Sequence, residues 1–253
     1  MDYSISNIVL IFVFYAFLGW CIEVVESTFR FKRFINRGFL NGPICPVYGF
    51  GVLVVLSLLS PFKDSLPILF LGSIVVTSSV EFITGFILER SFNQKWWDYS
   101  NQRFNLSGYI SLWTSLAWGV SCLVLFYFLQ PNVDKVLGWI PDRVEAIVVI
   151  FAITAVFADF IVTVSSLFKI KQRMRLANEI SKNMKALSDN IGQKLSNNTI
   201  SAIKINEYNL NELKKLSKKY QTVIGDLPFG YRRLTKAFPR LKIFNNERDK
   251  NKK

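Results

Sequence analysis

Histidine is absent from all 253 residues of the sequence, and cysteine occurs only three times. Without an imidazole, the chain cannot build histidine proton shuttles, Ser–His or Cys–His nucleophile pairs, or histidine-ligated zinc and haem sites. Cys21, Cys45 and Cys122 lie in or beside apolar segments and show no Cys-x-x-Cys spacing. They predict packed thiols rather than a disulfide framework or a metal cluster. We therefore expect neither a metal nor a cofactor.

Apolar residues, in contrast, are abundant. Hydrophobic residues make up 51% of the chain, aromatic residues make up 15%, and the mean hydropathy is +0.27. This composition is too apolar for a typical soluble domain of this length, so it predicts an all-α protein, a polytopic membrane helix bundle. A spanning helix needs about 20 mostly apolar residues. Five runs reach or approach that length: Asn7–Val25, Pro43–Ser60, Pro67–Leu88, Tyr109–Leu129 and Val144–Phe168.

The first two runs raise separate questions. The N-terminal run lacks the charged start and the small-residue cleavage site of a signal peptide, so we expect a retained first span. The run Pro43–Ser60 is the shortest and begins with prolines and glycines. A tilted, broken or partly re-entrant segment is therefore an alternative to a full span there.

The loops between the runs predict an orientation. Lysine and arginine concentrate in alternate loops, after the first and third runs and again after Phe168. By the positive-inside rule, the N-terminus lies outside and the C-terminus lies in the cytoplasm. The net charge of +13 is unevenly distributed, unlike that of a uniformly basic nucleic-acid binder. We expect a multi-pass protein of the cell membrane that contacts membrane lipids and has no nucleic-acid partner.

Residues 1–168 are thus predicted to form the transmembrane bundle, and two further regions follow. In residues 169–228, leucine and isoleucine recur at three- and four-residue steps, which predicts a cytoplasmic helical hairpin or coiled coil. Packing between its two helices, homo-oligomerisation and a dedicated partner site are the alternatives. Residues 229–253 are predicted to form a basic, partly disordered tail that suits anionic headgroups.

The densest local signal lies between the first two runs, from Asn36 to Gly49. The glycines and asparagines of this stretch favour a tight turn, and Pro43 suits a first helical turn. Arg37 adds a cation. We interpret the stretch as a tight basic loop that re-enters a helix, with an ordinary turn between membrane helices as the alternative.

Carboxylates within the apolar runs are the main candidates for function. Glu23 lies at the end of the first run, and Asp159 lies midway in the fifth. Glu81 lies deeper in the third run, one turn after polar residues with which it forms a stripe. An acid at membrane depth costs roughly 2.5 kcal/mol or more, so each should face the bundle, water or a cation. We predict that they form a charged centre with Arg37 and Arg103. Structural ion pairs that stabilise helix packing are the alternative.

The loop after the third run is the second dense signal. Residues that can line an interfacial pocket follow one another there: Trp97, Asp98, Tyr99 and Asn105. The carboxylate can bind a cationic group or pair with Arg37. A belt of aromatic rings at the membrane surface is the alternative.

A family resemblance rests on several of these motifs together. They are Phe17–Trp20 with Glu23, Asn36–Gly49, Trp96–Ser100, Phe104–Leu106 and Trp118–Gly119. Over about residues 8–170, the chain resembles the bacterial family labelled putative ABC-transporter type IV, CmpB-like, to which vertebrate transmembrane protein 229 is similar. The label implies a permease, with no established substrate or catalytic residues to carry over.

A nucleotide-binding motif is missing from the chain. An ATPase subunit needs G-x-x-x-x-G-K-[ST] to bind phosphates, and no glycine of this sequence precedes a lysine. Any ATP coupling is therefore expected from a separate ATPase subunit.

The leading hypothesis is a transporter or permease component of unknown substrate, with a polar site among its spans. The predicted site residues are Glu23, Arg37, Asn41, Tyr48, Glu81, Trp97, Asp98, Tyr99 and Asn105. A second class is a non-catalytic membrane scaffold or sensor that binds a partner through the C-terminal hairpin. A third is an intramembrane enzyme for lipid headgroups, with Asp98 or Glu23 as general base and Arg37 on a phosphate.

Overall fold

Helices dominate the computed structural model, which describes residues 3–92, 95–197, 202–225, 231, 233 and 234. The helices are α1 (Ile5–Phe31), α2 (Pro46–Leu59), α3 (Leu66–Phe92), α4 (Leu112–Val124), α5 (Gln130–Gly138), α6 (Asp142–Asn197) and α7 (Ala202–Gly225). A short antiparallel hairpin precedes α4, and its strands are β1 (Asn105–Leu106) and β2 (Ile110–Ser111).

Local signals explain where several helices begin and end. The Ser4 hydroxyl accepts a hydrogen bond from the Asn7 backbone N–H at 3.1 Å and caps α1. Lys32, at φ 54°, ends α1 in the left-handed conformation. Pro46 occupies the first turn of α2, where its missing N–H costs nothing. Ser111 heads a capping box at the start of α4.

Within the described residues, four helical stretches are long and apolar enough to cross a membrane: Ile5–Phe31, Leu66–Phe92, Leu112–Gly138 and Asp142–Ile191. A further apolar segment in the described part of the chain, Pro46–Phe62, is shorter. Most residues in the apolar part of each long stretch are not buried within the protein, as expected of helices that contact lipid. The prediction of an all-α membrane helix bundle is confirmed, whereas the number of spans and their orientation stay predictions.

The helices continue beyond several of the predicted runs. α1 ends at Phe31, and the stretch that starts with α4 continues through a π-helical turn, Leu125–Leu129, to Gly138. Pro131 follows this turn and has no N–H, so the regular hydrogen bonding cannot pass through it unchanged. α6 is unbroken across the predicted boundary at residue 168, and that boundary stays a prediction.

The described residues form two compact units, the first of which comprises residues up to 163 together with Arg233 and Leu234. Its core lies where α1, α2, α3 and α4 meet, and the buried members are Ile11, Tyr15, Val55, Leu56, Leu59, Leu69, Cys122, Leu125 and Phe126. Gly19 permits the closest helix approach, because a Cβ on it would lie 2.2 Å from Cγ of Tyr48. The α1 backbone therefore packs directly on a side chain of α2.

The second unit contains residues 164–225 with Tyr231. In it, Arg173 of α6 donates to the Val223 carbonyl oxygen of α7 at 3.5 Å. The predicted cytoplasmic hairpin or coiled coil falls in this unit, and it stays a prediction, as does homo-oligomerisation. Of the predicted tail, residues 229–253, the structure describes residues 231, 233 and 234, and the others lie outside the described residues.

Candidate functional site

Five polar side chains lie close together where α1, α2, α3 and the α3–α4 loop meet, and we call them the acid–tyrosine cluster: Glu23, Arg37, Tyr48, Glu81 and Tyr99. The Tyr48 hydroxyl donates to Glu23 Oε1 at 2.7 Å. The Tyr99 hydroxyl donates to Glu81 Oε1 at 3.1 Å. Each of these partly buried carboxylates thus receives one hydrogen bond from a tyrosine.

Neighbouring helices hold these side chains in place. Ser78 of α3, one turn before Glu81, forms a hydrogen bond with Ser115 of α4, with 2.7 Å between the hydroxyl oxygens. The Tyr48 ring lies edge-to-face against Trp118 of α4, with 5.6 Å between the ring centroids. α4 therefore supports both the glutamate on α3 and the tyrosine on α2.

Burial determines the electrostatics of the cluster. Burial raises the pKa of Tyr99, the Glu81 and Glu23 carboxylates raise it further, and Arg37 acts in the opposite direction. Tyr99 is therefore protonated at neutral pH and remains a donor. Oε2 of Glu81 is buried and has no hydrogen-bond partner among the described residues. The cluster is consequently short of a donor at this oxygen.

Arg37 lies closer to Glu26 than to Glu23. Its Nη1 lies 2.9 Å from Oε2 of Glu26 and 3.8 Å from Oε2 of Glu23. The Glu26 side chain is 49% exposed, so this shorter pair contributes little to stability. Arg103, the second predicted cation, is exposed on the α3–α4 loop.

A separate group fixes the α1–α2 loop, residues 32–45, and we call it the Asp159 anchor: Asn41, Gly42, Asp159 and Thr163. Oδ1 of Asp159 accepts from the Asn41 backbone N–H at 3.1 Å, from its Nδ2 at 3.0 Å and from the Thr163 hydroxyl at 3.1 Å. Oδ2 accepts from the Gly42 N–H at 2.7 Å. The structure thus places Asn41, a predicted site residue, against α6 rather than in the acid–tyrosine cluster.

Two further contacts hold the same loop. Oδ1 of Asn36 accepts from Nε1 of Trp20 at 2.8 Å and from the Gly38 N–H at 3.0 Å. Arg233, from the C-terminal region, donates to the Gly38 carbonyl oxygen at 2.8 Å and to the Phe39 carbonyl oxygen at 3.2 Å. The role of Arg233 was not predictable from the sequence, because no local pattern connects it with a loop so distant in the chain.

The α3–α4 loop brings Tyr99 to the cluster and uses its other predicted site residues for its own structure. Trp97 donates to the Tyr109 carbonyl oxygen at 2.9 Å. Asp98 accepts from the backbone N–H of residue 100 at 3.0 Å, and Asn105 accepts from that of residue 108 at 3.1 Å. These contacts shape the loop that presents Tyr99.

A second polar network lies near the start of α1, and we call it the Gln130 network: Tyr3, Tyr15, Gln130 and Asp134. Gln130 is 1% exposed, donates to the Tyr3 hydroxyl at 3.0 Å and to Asp134 at 2.8 Å, and accepts from the Tyr15 hydroxyl at 3.0 Å. Tyr3 donates to Asp134 at 3.0 Å. Burial, followed by the Asp134 charge, raises the pKa of Tyr3 to about 12, so its hydroxyl stays a donor.

A cavity of about 300 Å³ opens beside the Gln130 network. Asp134, Asp142 and Glu145 line part of it. Asp142 and Glu145 also occupy the first turn of α6, where carboxylates are stabilised by the helix dipole. Oε1 of Glu145 is buried without a hydrogen-bond partner among the described residues, and we assign the cavity no ligand.

The long apolar helices define a polytopic α-helical membrane protein. The chain belongs to the family described as Putative ABC-transporter type IV, whose model matches residues 10–164. The family resemblance is thereby confirmed, and the family's name is that of a transporter component. Similarity to transmembrane protein 229 stays a prediction. No curated protein and no solved structure is significantly similar to the chain.

The matched region determines which features belong to the family core. Residues 10–164 contain the acid–tyrosine cluster and the Asp159 anchor. Arg233 lies outside the matched region.

Proposed function

We propose that this chain is the membrane-embedded permease component of a transporter, and that the acid–tyrosine cluster binds the transported solute. The family name supports a role in transport. The observation that carries the proposal is Oε2 of Glu81, which is buried in an apolar helix and has no partner among the described residues. A solute that brings a hydrogen-bond donor, such as a cationic amine, would complete the cluster.

The energetic cost of the cluster supports a binding role. A carboxylate at membrane depth costs roughly 2.5 kcal/mol or more unless it is well paired. Glu81 receives one hydrogen bond from Tyr99, whereas both oxygens of Asp159 accept from nearby donors. A network kept for stability alone should resemble the Asp159 anchor. A solute that binds only transiently explains why the Glu81 carboxylate accepts fewer hydrogen bonds than the Asp159 carboxylate.

The α3–α4 loop is the proposed gate. Trp97 and Asn105 hold this loop together, so Tyr99 moves with it as a unit. Displacement of the loop would withdraw the Tyr99 hydroxyl from Glu81 and leave both carboxylate oxygens open to a solute.

Energy for transport would come from a separate ATPase subunit, because the sequence has no Gly-Lys phosphate-binding motif. The proposal includes the cell membrane as the location and a cytoplasmic C-terminus. Native mass spectrometry of the protein, extracted gently with its lipids and partners, tests whether an ATPase subunit is bound. A stoichiometric ATPase supports the proposal, whereas a solitary chain or homo-oligomer with one defined lipid favours a lipid-headgroup enzyme.

The site itself is tested by solute profiling. Cells that lack the protein, carry the wild type, or carry Glu81→Gln are compared by untargeted mass spectrometry of their retained solutes. We expect Glu81→Gln to reproduce the profile of cells without the protein. Glu89→Gln is the matched control, because Glu89 lies two turns further along α3 and also accepts from a tyrosine hydroxyl, that of Tyr109, at 2.7 Å. If both variants gave the solute profile of the wild type, the proposal that the acid–tyrosine cluster binds the solute would be wrong.

A scaffold or sensor is the second candidate, and the separate C-terminal unit favours it. Deletion of residues 171–253 discriminates between the two functions. A transporter should still depend on Glu81 after the deletion, so Glu81→Gln should still change the solute profile of the shortened chain, because the cluster lies within residues 10–164. A scaffold should lose its partner and its cellular effect.

A further inference from the structure

The C-terminal region contacts the α1–α2 loop. The contact lies between the part of the loop that belongs to the acid–tyrosine cluster and the part that belongs to the Asp159 anchor. Arg233 binds the Gly38 and Phe39 carbonyl oxygens through two guanidinium nitrogens, across sequence separations of 195 and 194 residues. The following residue, Leu234, is 1% exposed. The Arg233 guanidinium group and the apolar Leu234 side chain therefore both belong to the compact unit that contains the loop.

The position of this contact within the loop is informative. Arg37, immediately before Gly38, belongs to the acid–tyrosine cluster. Asn41, shortly after Phe39, belongs to the Asp159 anchor. Release of Arg233 would therefore free the segment that carries Arg37, while the anchor continues to hold the far side of the loop.

We propose that Arg233 and Leu234 form a latch that closes the α1–α2 loop against the acid–tyrosine cluster, and that detachment of the C-terminal segment opens the site. The inference rests on the proposed function, because it assigns regulation to the same site. Three features distinguish a latch from a permanent support. Arg233 donates to neutral carbonyl oxygens, with the Asp159 carboxylate acting on it as a nearby charge, and its Nε is buried without a partner among the described residues. Both latch residues also lie outside the family-matched region.

Cys45 reports on the latch without any transport measurement. It ends the loop, is 7% exposed, and its backbone N–H donates to the Ala16 carbonyl oxygen of α1 at 2.9 Å. Burial raises the pKa of the Cys45 thiol to about 12, and the nearby backbone of Phe39, the residue whose carbonyl oxygen Arg233 binds, acts to lower it. Opening of the loop should therefore expose the Cys45 thiol to water and to a maleimide.

The experiment uses the full-length chain in lipid nanodiscs, with Cys21→Ala and Cys122→Ala so that Cys45 is the remaining thiol. The rate of alkylation by N-ethylmaleimide is measured in this parent and in variants of Arg233. Arg233→Ala should accelerate alkylation about tenfold, because hydrogen bonds from a charged donor are lost. Arg233→Lys keeps the positive charge but loses the planar guanidinium group and its two donor nitrogens, so it should give an intermediate alkylation rate. Arg175→Ala, at an exposed arginine of α6, is the matched control and should leave the rate unchanged.

Equal alkylation rates in the parent and in Arg233→Ala would overturn the latch. If Arg233→Ala fails to fold by circular dichroism, Arg233→Lys decides: faster alkylation at unchanged helicity supports the latch, and an unchanged rate overturns it. The solute profiles separate this inference from the proposed function. Faster alkylation, combined with profiles that do not respond to Glu81→Gln, would support the latch on the loop and overturn the transport site beneath it.

Discussion

α1 carries a polar network near each of its ends, and the two networks differ in how their hydrogen bonds are completed. Near the start, Gln130 uses both sides of its amide and links two tyrosines with Asp134. Near the end, Glu23 and Glu81 receive one tyrosine hydrogen bond each. Oε2 of Glu81 has no partner among the described residues.

This difference indicates which network serves the fold. A buried polar group left without a partner costs about 1–3 kcal/mol, whereas a satisfied group contributes modestly to stability. We therefore interpret the Gln130 network and the Asp159 anchor as structural. The acid–tyrosine cluster is interpreted as a binding site whose incomplete pairing lowers stability. Substitutions in the structural groups should be costly, and removal of charge from the cluster should not.

Asp159→Ala should have the largest effect on stability. Four hydrogen bonds to the carboxylate are lost, and the Asn41 and Gly42 backbone N–H groups are left without their acceptor. We expect the free energy of unfolding to fall by about 3 kcal/mol. Denaturation in mixed micelles, followed by circular dichroism, measures it. Asp159→Asn, which keeps one acceptor oxygen, should cost less, and equal stability of wild type and Asp159→Ala would show that the anchor is dispensable.

Gly19→Ala should have the next largest effect. The new Cβ would lie 2.2 Å from Cγ of Tyr48, so α1 and α2 must separate and Tyr48 must shift relative to Glu23. We expect a loss of about 2 kcal/mol, measured by the same unfolding experiment. Gly51→Ala on α2 is the control, because its Cβ would meet nothing within 4 Å. If the two variants are equally stable, the close helix approach beside the cluster is absent in solution.

Gln130→Leu should be milder but still destabilising. Leucine fills a similar volume, yet the Tyr15 hydroxyl and Asp134 lose their buried partner. We expect a loss of about 1.5 kcal/mol in the free energy of unfolding. Asn132→Ala, at an exposed position on the same helix, should stay within about 0.5 kcal/mol of the wild type. If Gln130→Leu left the free energy of unfolding unchanged, the Gln130 network could no longer be distinguished from the acid–tyrosine cluster as a structural network.

The helix bundle was predictable from the sequence, because long apolar runs and the basic loops between them are local signals. Glu23, Arg37, Tyr48, Glu81 and Tyr99 were also predictable as candidates, since charges within or beside apolar runs are visible without a fold. Their arrangement into one cluster was not, because it depends on how separate helices pack.

The remaining candidates show where local reasoning ends. Trp97, Asp98 and Asn105 have the chemistry of site residues, but hydrogen bonds within their own loop use that chemistry. Thr163, four residues after Asp159, was missed although helical spacing places both on one face. The contact between Arg233 and Gly38 joins positions 195 residues apart and follows from the tertiary fold alone.

The stability of Glu81→Gln tests the central claim most directly. The substitution keeps an acceptor for Tyr99 and removes a charge from the interior of α3, so we predict unchanged stability or a gain of about 1 kcal/mol. Glu89→Gln, near the end of the same helix, should change stability by no more than about 0.5 kcal/mol. A loss of more than about 1 kcal/mol in Glu81→Gln alone would contradict the account, because it would make Glu81 a structural residue like Gln130.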